Sequence, residues 1–231
     1  AYVVMDRSTG KILTVKNENK QWPIASLTKL VTADVVLDYE VSMSSTGDIR
    51  NADNVGGARL WVNDGDEFTV QDLFYAALVG SANNAANALS RTAGLSRTQF
   101  LKEMNTRATD LNLIKTRFVD PTGIELGNVS TAREMTRLAR DILNRDEMRK
   151  FTTTATHYIH DITRGTDKKM TNTNWMIWKS YYDAVYVTGG KTGFLNESGW
   201  NVVVALRPDG NDTDRELLIT VFGADSRYES F

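Results

Sequence analysis

Ser26 and Lys29 are the first residues in this sequence whose types and spacing suit covalent chemistry. They stand three positions apart in PIASLTKLVT, residues 23 to 32, where an apolar segment begins. If that segment is a helix, the two side chains share one face, about 5 to 6 Å apart. Burial lowers the pKa of a lysine, and a neutral amine can take the proton of a neighbouring hydroxyl. A helix start also directs N–H groups toward a developing oxyanion.

The same spacing also fits a helix-capping serine beside a solvated lysine. With 13 Ser and 11 Lys in 231 residues, about 0.6 Ser-x-x-Lys pairs are expected by chance. Ser8 and Lys11 form a second such pair, but they lie in RSTGK, a predicted hairpin turn without a helical face. The pair at Ser26 therefore needs support from other residues.

Two further clusters supply polar groups of the right type. The stretch SANNAANAL offers the hydroxyl of Ser81 and the amide of Asn83 from a short turn between predicted helices. The stretch GGKTGF places Lys191, Thr192 and Gly193 on a predicted strand, where glycines beside a lysine indicate that another backbone approaches closely. Taken alone, the first cluster also fits a capping serine, and the second a bulge with a solvated lysine.

The elements around Ser26 are predicted from periodicity and turn residues. Strands at residues 1–6 and 11–16 form an antiparallel hairpin across RSTG. Between residues 27 and 37 the apolar side chains surround the axis, which indicates a buried helix that carries Lys29 and Asp34 into a packed region.

The middle of the chain is predicted to be helical. Residues 41–69 are rich in Ser, Gly, Asn and Asp and are expected to form loops or short strands. Helices are predicted at residues 70–79, at 84–92, from Ser96 with Gln99 as its capping-box partner, and from Thr131 with Glu134 in the same role.

Strands return after residue 150. Four runs rich in β-branched and aromatic residues read as strands: FTTTATHYIHDIT, AVYVTGGKTGF, GWNVVVALRPDG and RELLITVFGA. We expect them to join the amino-terminal hairpin in one antiparallel sheet. The chain is then a single domain, 1–231, with a sheet-containing subdomain at 1–39 and 150–231 and a helical subdomain at 40–149.

Composition excludes several classes of function. A net charge of −2, with 24% charged and 41% hydrophobic residues, gives no reason to expect nucleic acid or an anionic membrane as partner. The absence of cysteine excludes disulfides, thiolate metal sites and cysteine nucleophiles. No run of 18 apolar residues is present.

Other candidate sites have simpler interpretations. His157 and His160 lie three apart on a predicted strand and so face opposite sides, which argues against a metal pair. Trp175 and Trp178 could stack on sugar rings, but aromatic residues at that spacing more often belong to a core.

In the order Ser-x-x-Lys, Ser-x-Asn, Lys-Thr-Gly, the three clusters match a signature of penicillin-binding proteins and class A β-lactamases. The stretches FVDPTGIELGNVSTAREMTRLA and TGGKTGFLNESGW extend the match over most of the chain. The sequence resembles the low-molecular-mass penicillin-binding proteins, the serine-type D-alanyl-D-alanine carboxypeptidases and endopeptidases similar to penicillin-binding protein 7. This resemblance implies an α/β, β-lactamase/transpeptidase-like fold: a five-stranded antiparallel sheet with flanking helices, a mainly helical subdomain, and an active site where they meet.

The resemblance also implies a role for each matched residue. It makes Ser26 the acylated nucleophile and Lys29 its general base, without metal or cofactor. The remaining implied roles are proton relay and substrate contact for Ser81 and Asn83, substrate binding for Lys191, Thr192 and Gly193, and an oxyanion hole from the backbone N–H groups of Ser26 and Phe194.

The implied activity is hydrolysis of D-Ala-D-Ala or D-Ala-diaminopimelate bonds in peptidoglycan stem peptides, outside the bacterial cytoplasm, with β-lactams acylating Ser26. Proteins of this kind continue beyond a segment such as SRYESF, sometimes to a further β-domain and a membrane anchor, so we expect truncated termini. The sequence departs from the common pattern at Ala82, Asn84 and Leu195, which leaves substrate preference open. Arg227 could bind a substrate carboxylate, but the sequence alone does not assign it that role.

Two other functions remain open at this point. A class A-like β-lactamase would need a glutamate that activates the deacylating water, and Glu125 in GIELGN is the one acid in a suggestive place. A non-catalytic penicillin- or peptidoglycan-binding module would keep the cleft without turnover.

Overall fold

The computed structural model describes residues 1–212 and 214–231. Its strands are β1 Tyr2–Asp6, β2 Ile12–Lys16, β3 Gln21–Pro23, β4 Thr46–Ile49, β5 Asp66–Thr69, β6 Val129–Thr131, β7 Thr156–Asp161, β8 Thr166–Thr171, β9 Tyr186–Leu195, β10 Gly199–Arg207 and β11 Leu217–Ala224. Its α-helices are α1 Thr28–Asp38, α2 Val70–Leu78, α3 Asn83–Thr92, α4 Arg97–Asp110, α5 Ala132–Ile142, α6 Asp146–Thr153 and α7 Arg227–Ser230.

A five-stranded antiparallel sheet has the order β2-β1-β11-β10-β9. The amino-terminal hairpin joins the sheet because β1 pairs with β11, with Tyr2 opposite Val221. Strand β10 is buried on both faces along most of its length, which explains its continuous apolar run from Val202 to Leu206. The predicted α/β fold with a five-stranded antiparallel sheet is confirmed.

Helix α1 passes through the middle of the molecule. Every residue from Thr28 to Val36 is buried, as its all-round apolar pattern predicts. The helix contacts α2, α3, α4, α5 and α6. Ser26 and Lys29 therefore belong to an element that is held on all sides.

Three details differ from the prediction. Ser26 lies in a 3₁₀ turn, Ala25–Leu27, and the α-helix begins only at Thr28. The run FTTT ends helix α6 instead of starting a strand, because Thr152 and Thr153 donate hydroxyl hydrogen bonds to carbonyls four residues back, at 2.7 and 2.8 Å.

The third difference concerns β7. This strand pairs with β8 in a separate two-stranded sheet and does not join the main one. Its alternating exposed and covered residues suit a hairpin lying on α2 and β5, whereas the main sheet needs strands buried more evenly.

The two predicted capping boxes have different outcomes. At the start of α4, Ser96 and Gln99 exchange both hydrogen bonds. At α5 the Thr131 hydroxyl accepts from the Glu134 N–H at 3.1 Å, but the return bond is absent. The Glu134 carboxylate instead accepts from the N–H of Lys115 and the hydroxyl of Thr116, which tie the preceding loop to this helix.

Within residues 1–212 and 214–231, every helix is too short or too polar to cross a lipid bilayer.

Candidate active site

A cleft of about 240 Å³ lies between strand β9 and the start of helices α1 and α3. It brings together groups from distant parts of the chain. Its lining includes Ser26, Ser81, Asn83, Thr192, Gly193 and Phe194.

Close backbone contacts fix the turn that carries Ser26. Ala25 has a φ of +51°, a conformation that non-glycine residues rarely adopt. A Cβ on Gly123 would lie 1.9 Å from the Ala25 carbonyl oxygen, and one on Gly193 would lie 3.0 Å from the Ser26 nitrogen. Because both residues are glycines, the loop that contains Gly123 and strand β9 can each contact the turn closely. For β9, the glycines around Lys191 had predicted this close approach of another backbone.

Lys29 stands one helical turn further along, with its amine next to the serine hydroxyl. Its side chain is 1% exposed, and Nζ lies 2.8 Å from Ser26 Oγ. Nζ also donates to Asn83 Oδ1 and to the Thr122 carbonyl oxygen, each at 2.6 Å. These partners are all uncharged, so the amine is well oriented but has no counter-ion in contact.

The surroundings favour a neutral Lys29. Burial lowers the pKa of its amine well below the ordinary value, and the positive charge of Lys191 lowers it further. The carboxylate of Asp120 opposes this shift but does not reverse it. The amine can thus accept a proton from Ser26.

Asn83 is placed by the segment that precedes α3. Its backbone N–H donates to the Ala58 carbonyl at 2.7 Å, and its Nδ2 donates to the Gly56 carbonyl at 2.7 Å. The amide oxygen is therefore left to face Lys29. The neighbouring Asn84 has a different task, since its side chain bonds the backbone N–H and carbonyl of Leu60, both at 2.9 Å.

Lys191 forms the second buried amine of the cleft. It is 1% exposed and donates to Ser81 Oγ at 2.9 Å and to the Thr192 carbonyl at 3.0 Å. Burial, followed by the charge of Arg227, lowers the pKa of Lys191 to about 7. Ser81, which accepts the first of these hydrogen bonds, has a backbone φ of +59°.

Sequence reasoning missed the loop that supports Lys29. Asp120 accepts hydrogen bonds from the N–H groups of Thr122 at 2.6 Å and of Gly123 and Glu125 at 2.9 Å, and from the side chain of Asn128. These bonds hold the pKa of Asp120 below its usual range despite burial. They also aim the Thr122 carbonyl at the amine. The motif FVDPTG marks the loop in the sequence, but its contacts do not follow from the pattern.

Arg227, which the sequence left unassigned, also lines the cleft. Its guanidinium lies over the rings of Trp200 at 4.3 Å and Trp175 at 4.5 Å. Trp200 lines the cleft, whereas Trp175 contacts Arg227 without lining it. Its Nε is buried without a hydrogen-bond partner among the described residues. Trp178 is 43% exposed and bonds the Asn172 carbonyl through its indole N–H at 2.8 Å.

The two histidines have separate partners. His157 Nε2 lies 3.1 Å from Asp72 Oδ1, and its ring stacks on Tyr75. His160 Nδ1 lies 2.7 Å from Asp167 Oδ1. In the part of the chain that the structure describes, no group of three or more His, Cys, Asp or Glu side chains is arranged to hold a metal ion.

Glu125, the acid considered for a β-lactamase, is exposed and does not line the cleft. Among the described residues, the lining of the cleft contains neither Asp nor Glu.

Comparison with known proteins identifies the family. The model of the D-alanyl-D-alanine carboxypeptidase family matches residues 1–226. The chain belongs to this family. The resemblance carried by the three sequence clusters is thereby confirmed.

Individual members of the family support the assignment. The chain is 34% identical over 206 residues to the D-alanyl-D-alanine endopeptidase of Haemophilus influenzae, covering 88% of this chain and 68% of that protein. It is 32% identical over 235 residues to the D-alanyl-D-alanine carboxypeptidase DacF of Bacillus subtilis, covering 98% of this chain and 58% of that protein. The chain thus spans between 58% and 68% of the length of these relatives.

The fold is shared with a solved structure, the Streptomyces K15 DD-transpeptidase. The TM-score is 0.86 at 25% sequence identity, and the match covers 99% of this chain and 91% of that one. The transpeptidase-like form of the predicted fold is therefore confirmed as well.

Proposed function

We propose that this protein is a bacterial serine D,D-peptidase that hydrolyses D-Ala-D-Ala or D-Ala-diaminopimelate bonds of peptidoglycan stem peptides through an acyl-enzyme. The observation that carries this function is the 2.8 Å contact between Lys29 Nζ and Ser26 Oγ in a buried site. Both the family and its curated relatives support the choice of substrate. Peptidoglycan lies outside the cytoplasmic membrane, so the enzyme works in an extracytoplasmic compartment.

Acylation begins at Ser26. Its Oγ attacks the carbonyl carbon of the penultimate D-Ala while the neutral amine of Lys29 takes the hydroxyl proton. The carbonyl electron pair moves to oxygen, where the N–H groups of Ser26 and Phe194 donate to the oxyanion. Phe194 contributes only backbone, which is consistent with its 45% exposed side chain.

Ser81 and Lys191 serve the second half of acylation. The tetrahedral intermediate collapses, the peptide C–N bond breaks, and Ser81 delivers a proton to the leaving amine, with Lys191 at 2.9 Å to replace it. The proton that Lys29 took from Ser26 then passes across the cleft to Lys191, which leaves the amine of Lys29 neutral again. Water attacks the ester on Ser26 while Lys29 takes a proton from that water. Lys29 returns this proton to Ser26 Oγ as the ester C–O bond breaks, and the shortened peptide leaves.

Strand β9 provides the surface on which the peptide binds. It is an edge strand of the sheet, so an extended peptide can add beside Thr192 and Gly193 through backbone hydrogen bonds. Asn83 can reach the peptide from the opposite wall of the cleft. A lysine and an arginine at this end suit a substrate with a terminal carboxylate.

We assign recognition of that carboxylate to Arg227. Arg227→Gln should lower kcat/KM for a D-Ala-D-Ala peptide by about 10-fold, since a charge-assisted hydrogen bond contributes roughly 1.5 to 3 kcal/mol. The same peptide ending in a carboxamide serves as the control. Wild type and variant should cleave it equally, and an equal loss on both peptides would exclude carboxylate recognition.

The described residues that line the cleft include no acid, which favours a peptidase over a β-lactamase. A class A enzyme uses a glutamate to activate the deacylating water, and Glu125, although it follows Ile124 in the lining, is exposed and does not itself line the cleft. A penicilloyl group on Ser26 should therefore be released slowly, whereas release within seconds would favour the β-lactamase.

Labelled penicillin followed by peptide mapping tests the proposal. The label should appear on Ser26 and persist, and Ser26→Ala should remove it. Ser8→Ala is the matched control, because Ser8 has the same spacing to a lysine but donates to Asp6 in a hairpin turn. Label at another residue would refute the nucleophile. Label on Ser26 with no D-Ala release from stem peptides would favour a binding module.

A further inference from the structure

A cavity of about 700 Å³ lies at the opposite edge of the sheet from the cleft. It is bounded by α5 on one side and by the β1–β2 hairpin on the other. The hairpin carries edge strand β2, four strands from β9, which corresponds to about 19 Å at the usual strand spacing. The cavity and the cleft share no lining residue.

Arginine dominates the polar lining of this cavity. Helix α5 contributes Arg133, Arg137 and Arg140, and the β1–β2 turn contributes Arg7. Residues four and three apart lie on one helical face, so the three helical arginines form a row about 10 Å long. The apolar face of α5, which includes Leu138 and Ile142, is buried against the sheet and α1.

Two of these guanidiniums lack an acidic partner. Arg133 pairs with Glu18 at 3.2 Å, and Arg7 pairs with Glu216 at 2.8 Å. Neither Arg137 nor Arg140 has a carboxylate within 4.0 Å among residues 1–212 and 214–231.

Backbone carbonyls nevertheless hold both guanidiniums in place. Arg137 donates to the Leu111 carbonyl at 2.9 Å, and Arg140 donates to the carbonyls of Arg7 and Ser8, both at 2.8 Å. A Cβ on Gly10 would lie 2.5 Å from Arg140 Nη1, so a glycine in the turn makes room for this guanidinium. Carbonyls orient a cation without neutralising it.

The acids in the cavity do not cancel this charge. Glu216 is shared between Arg7 and Arg207 and also accepts from the hydroxyl of Thr188. Asp141 has its nearest described guanidinium, that of Arg107, at 4.0 Å. The four arginines against these two acids leave a cationic cavity on a chain whose net charge is −2.

One buried donor of the cavity is also unused. The Arg7 side chain is 8% exposed, and its Nε has no hydrogen-bond partner among the described residues. The two guanidiniums of α5 that are fixed and unneutralised, with the free Nε–H of Arg7 on the facing hairpin, suit the several oxygens of a phosphoryl group, which guanidiniums bind in bidentate fashion.

We propose that this cavity binds a phosphoryl group, with Arg137 and Arg140 as its principal contacts. The ligand is either a free phosphate monoester or one unit of a phosphodiester chain laid along α5. The site is separate from the cleft and does not depend on the reaction proposed there.

Side-chain Nε–Hε resonances of arginine, followed by NMR at low ionic strength, provide the test. Inorganic phosphate should give saturable shifts for Arg137 and Arg140, with a dissociation constant on the order of 1 mM. Acetate should bind far more weakly. A short phosphodiester chain that binds at least about 10-fold tighter than glycerol phosphate assigns the site to a polymer through several simultaneous contacts, and equal binding assigns it to a single phosphate.

Variants make the test specific. Arg137→Gln removes an exposed guanidinium and should weaken phosphate binding about fivefold or more. Arg97→Gln, an exposed arginine on α4 outside the cavity, should leave binding unchanged. Equal affinity in wild type and Arg137→Gln, equal affinity for acetate, or no saturable shift in the tens of millimolar would overturn the proposal.

The cleft supplies a second readout. Acylation of wild type by labelled penicillin should proceed at the same rate with and without saturating phosphate, because the cavity is remote from Ser26. Inhibition by phosphate that competes with penicillin would place the anion at Arg227 and overturn the assignment. This measurement needs only acylation, so the cavity can fail while the proposed peptidase stands.

Discussion

Helix α1 buries two charged side chains, Lys29 and Asp34, in opposite surroundings. Lys29 is 1% exposed and contacts only neutral groups, of Ser26, Asn83 and Thr122. Asp34, five residues later, is fully buried and meets two guanidiniums. One helix therefore carries an amine without a counter-ion in contact and a carboxylate with two.

These different surroundings give the two side chains different roles: Lys29 serves the reaction, and Asp34 stabilises the fold. Burial raises the pKa of Asp34, but Arg107 at 2.5 Å and Arg145 at 3.0 Å oppose that rise and favour the carboxylate. At Lys29 burial and a second lysine both favour the neutral amine. The buried ion pairs of Asp34 hold α1 against its neighbours. The buried amine of Lys29 has no counter-ion in contact, so it is neutral and has a lone pair that can accept a proton.

Lys29→Met should have the largest effect. The variant keeps a chain of similar length but removes the base, so acylation of Ser26 by penicillin should fall by about 10³-fold or more. The free energy of unfolding should change by only about 1 kcal/mol, because the lost hydrogen bonds to Asn83 and Thr122 are offset by burying an apolar side chain. Stopped-flow acylation and urea unfolding measure the two quantities. An unaltered acylation rate would remove Lys29 from the mechanism.

Asp34→Ala should show the reverse behaviour. It removes the buried carboxylate between Arg107 and Arg145, which then keep only the more exposed carboxylate of Asp38 as a shared partner, and should lower the free energy of unfolding by about 3 kcal/mol. Below the unfolding transition, the acylation rate should stay within about twofold of wild type, since no contact of Ser26 changes. Asp146→Ala is the control, because that carboxylate is 87% exposed beside Arg149 and should contribute under about 1 kcal/mol. Equal losses in both variants would contradict the proposed role of the Asp34 ion pairs.

Lys191→Met should alter how stability depends on pH. Lys191 titrates at about 7 in the fold against 10.5 in the unfolded chain, so between these values only the unfolded chain binds the proton. The free energy of unfolding of wild type therefore rises with pH in this window, by at most about 1.4 kcal/mol per unit. Below pH 7 both states are protonated and the slope disappears. The variant should show a smaller rise, because it loses the contribution of Lys191 while Lys29, whose pKa burial also lowers, still contributes. A wild-type curve parallel to that of the variant would contradict a depressed pKa of Lys191.

The same variant shifts the pH dependence of acylation. Removing the charge of Lys191 removes one of the causes that lower the pKa of Lys29, so the ascending limb of the rate should move to higher pH. Lys168→Met, a lysine on β8 that does not line the cleft, should leave the limb in place.

The sequence patterns correctly predicted those features of the structure that depend on residues close together in the chain. The apolar residues all around α1 indicated its burial, the RSTG turn indicated the β1–β2 hairpin, and the three clusters indicated the groups that meet at the cleft. Each of these signals depends on a period or a motif within about ten residues.

Contacts between distant segments were not predictable in the same way. The partners of Asp34 come from Arg107 in α4 and Arg145 before α6, 73 and 111 positions away, and ion pairs of that kind leave no pattern in one sequence. Nor could strand β7 of the separate β7–β8 hairpin be told from a sixth strand of the main sheet, because strand composition does not identify the neighbouring strand. Arg227 similarly needed the fold before its position in the cleft was visible.

Asp120→Asn should have the smallest effect, and it tests how a charge that does not touch Lys29 changes the pKa of its amine. The Asp120 carboxylate raises the pKa of Lys29, so its removal should move the ascending limb of acylation to lower pH, opposite to Lys191→Met. The amide of an asparagine has a single acceptor oxygen, so it also cannot accept all the hydrogen bonds that the loop N–H groups donate to Asp120. The Thr122 carbonyl should then be held less firmly against the amine, and the plateau rate should fall by up to about 10-fold.

A matched control separates these two effects. Asp110→Asn removes an exposed carboxylate at the end of α4 and should change neither limb nor plateau. A lower plateau with an unmoved limb would mean that Asp120 acts only by positioning the loop. A limb displaced to higher pH would contradict the electrostatic effect of Asp120 on Lys29, and with it the conclusion that the pKa of Lys29 is set by burial and by charges that do not touch its amine, whereas Asp34 is held by guanidiniums in direct contact.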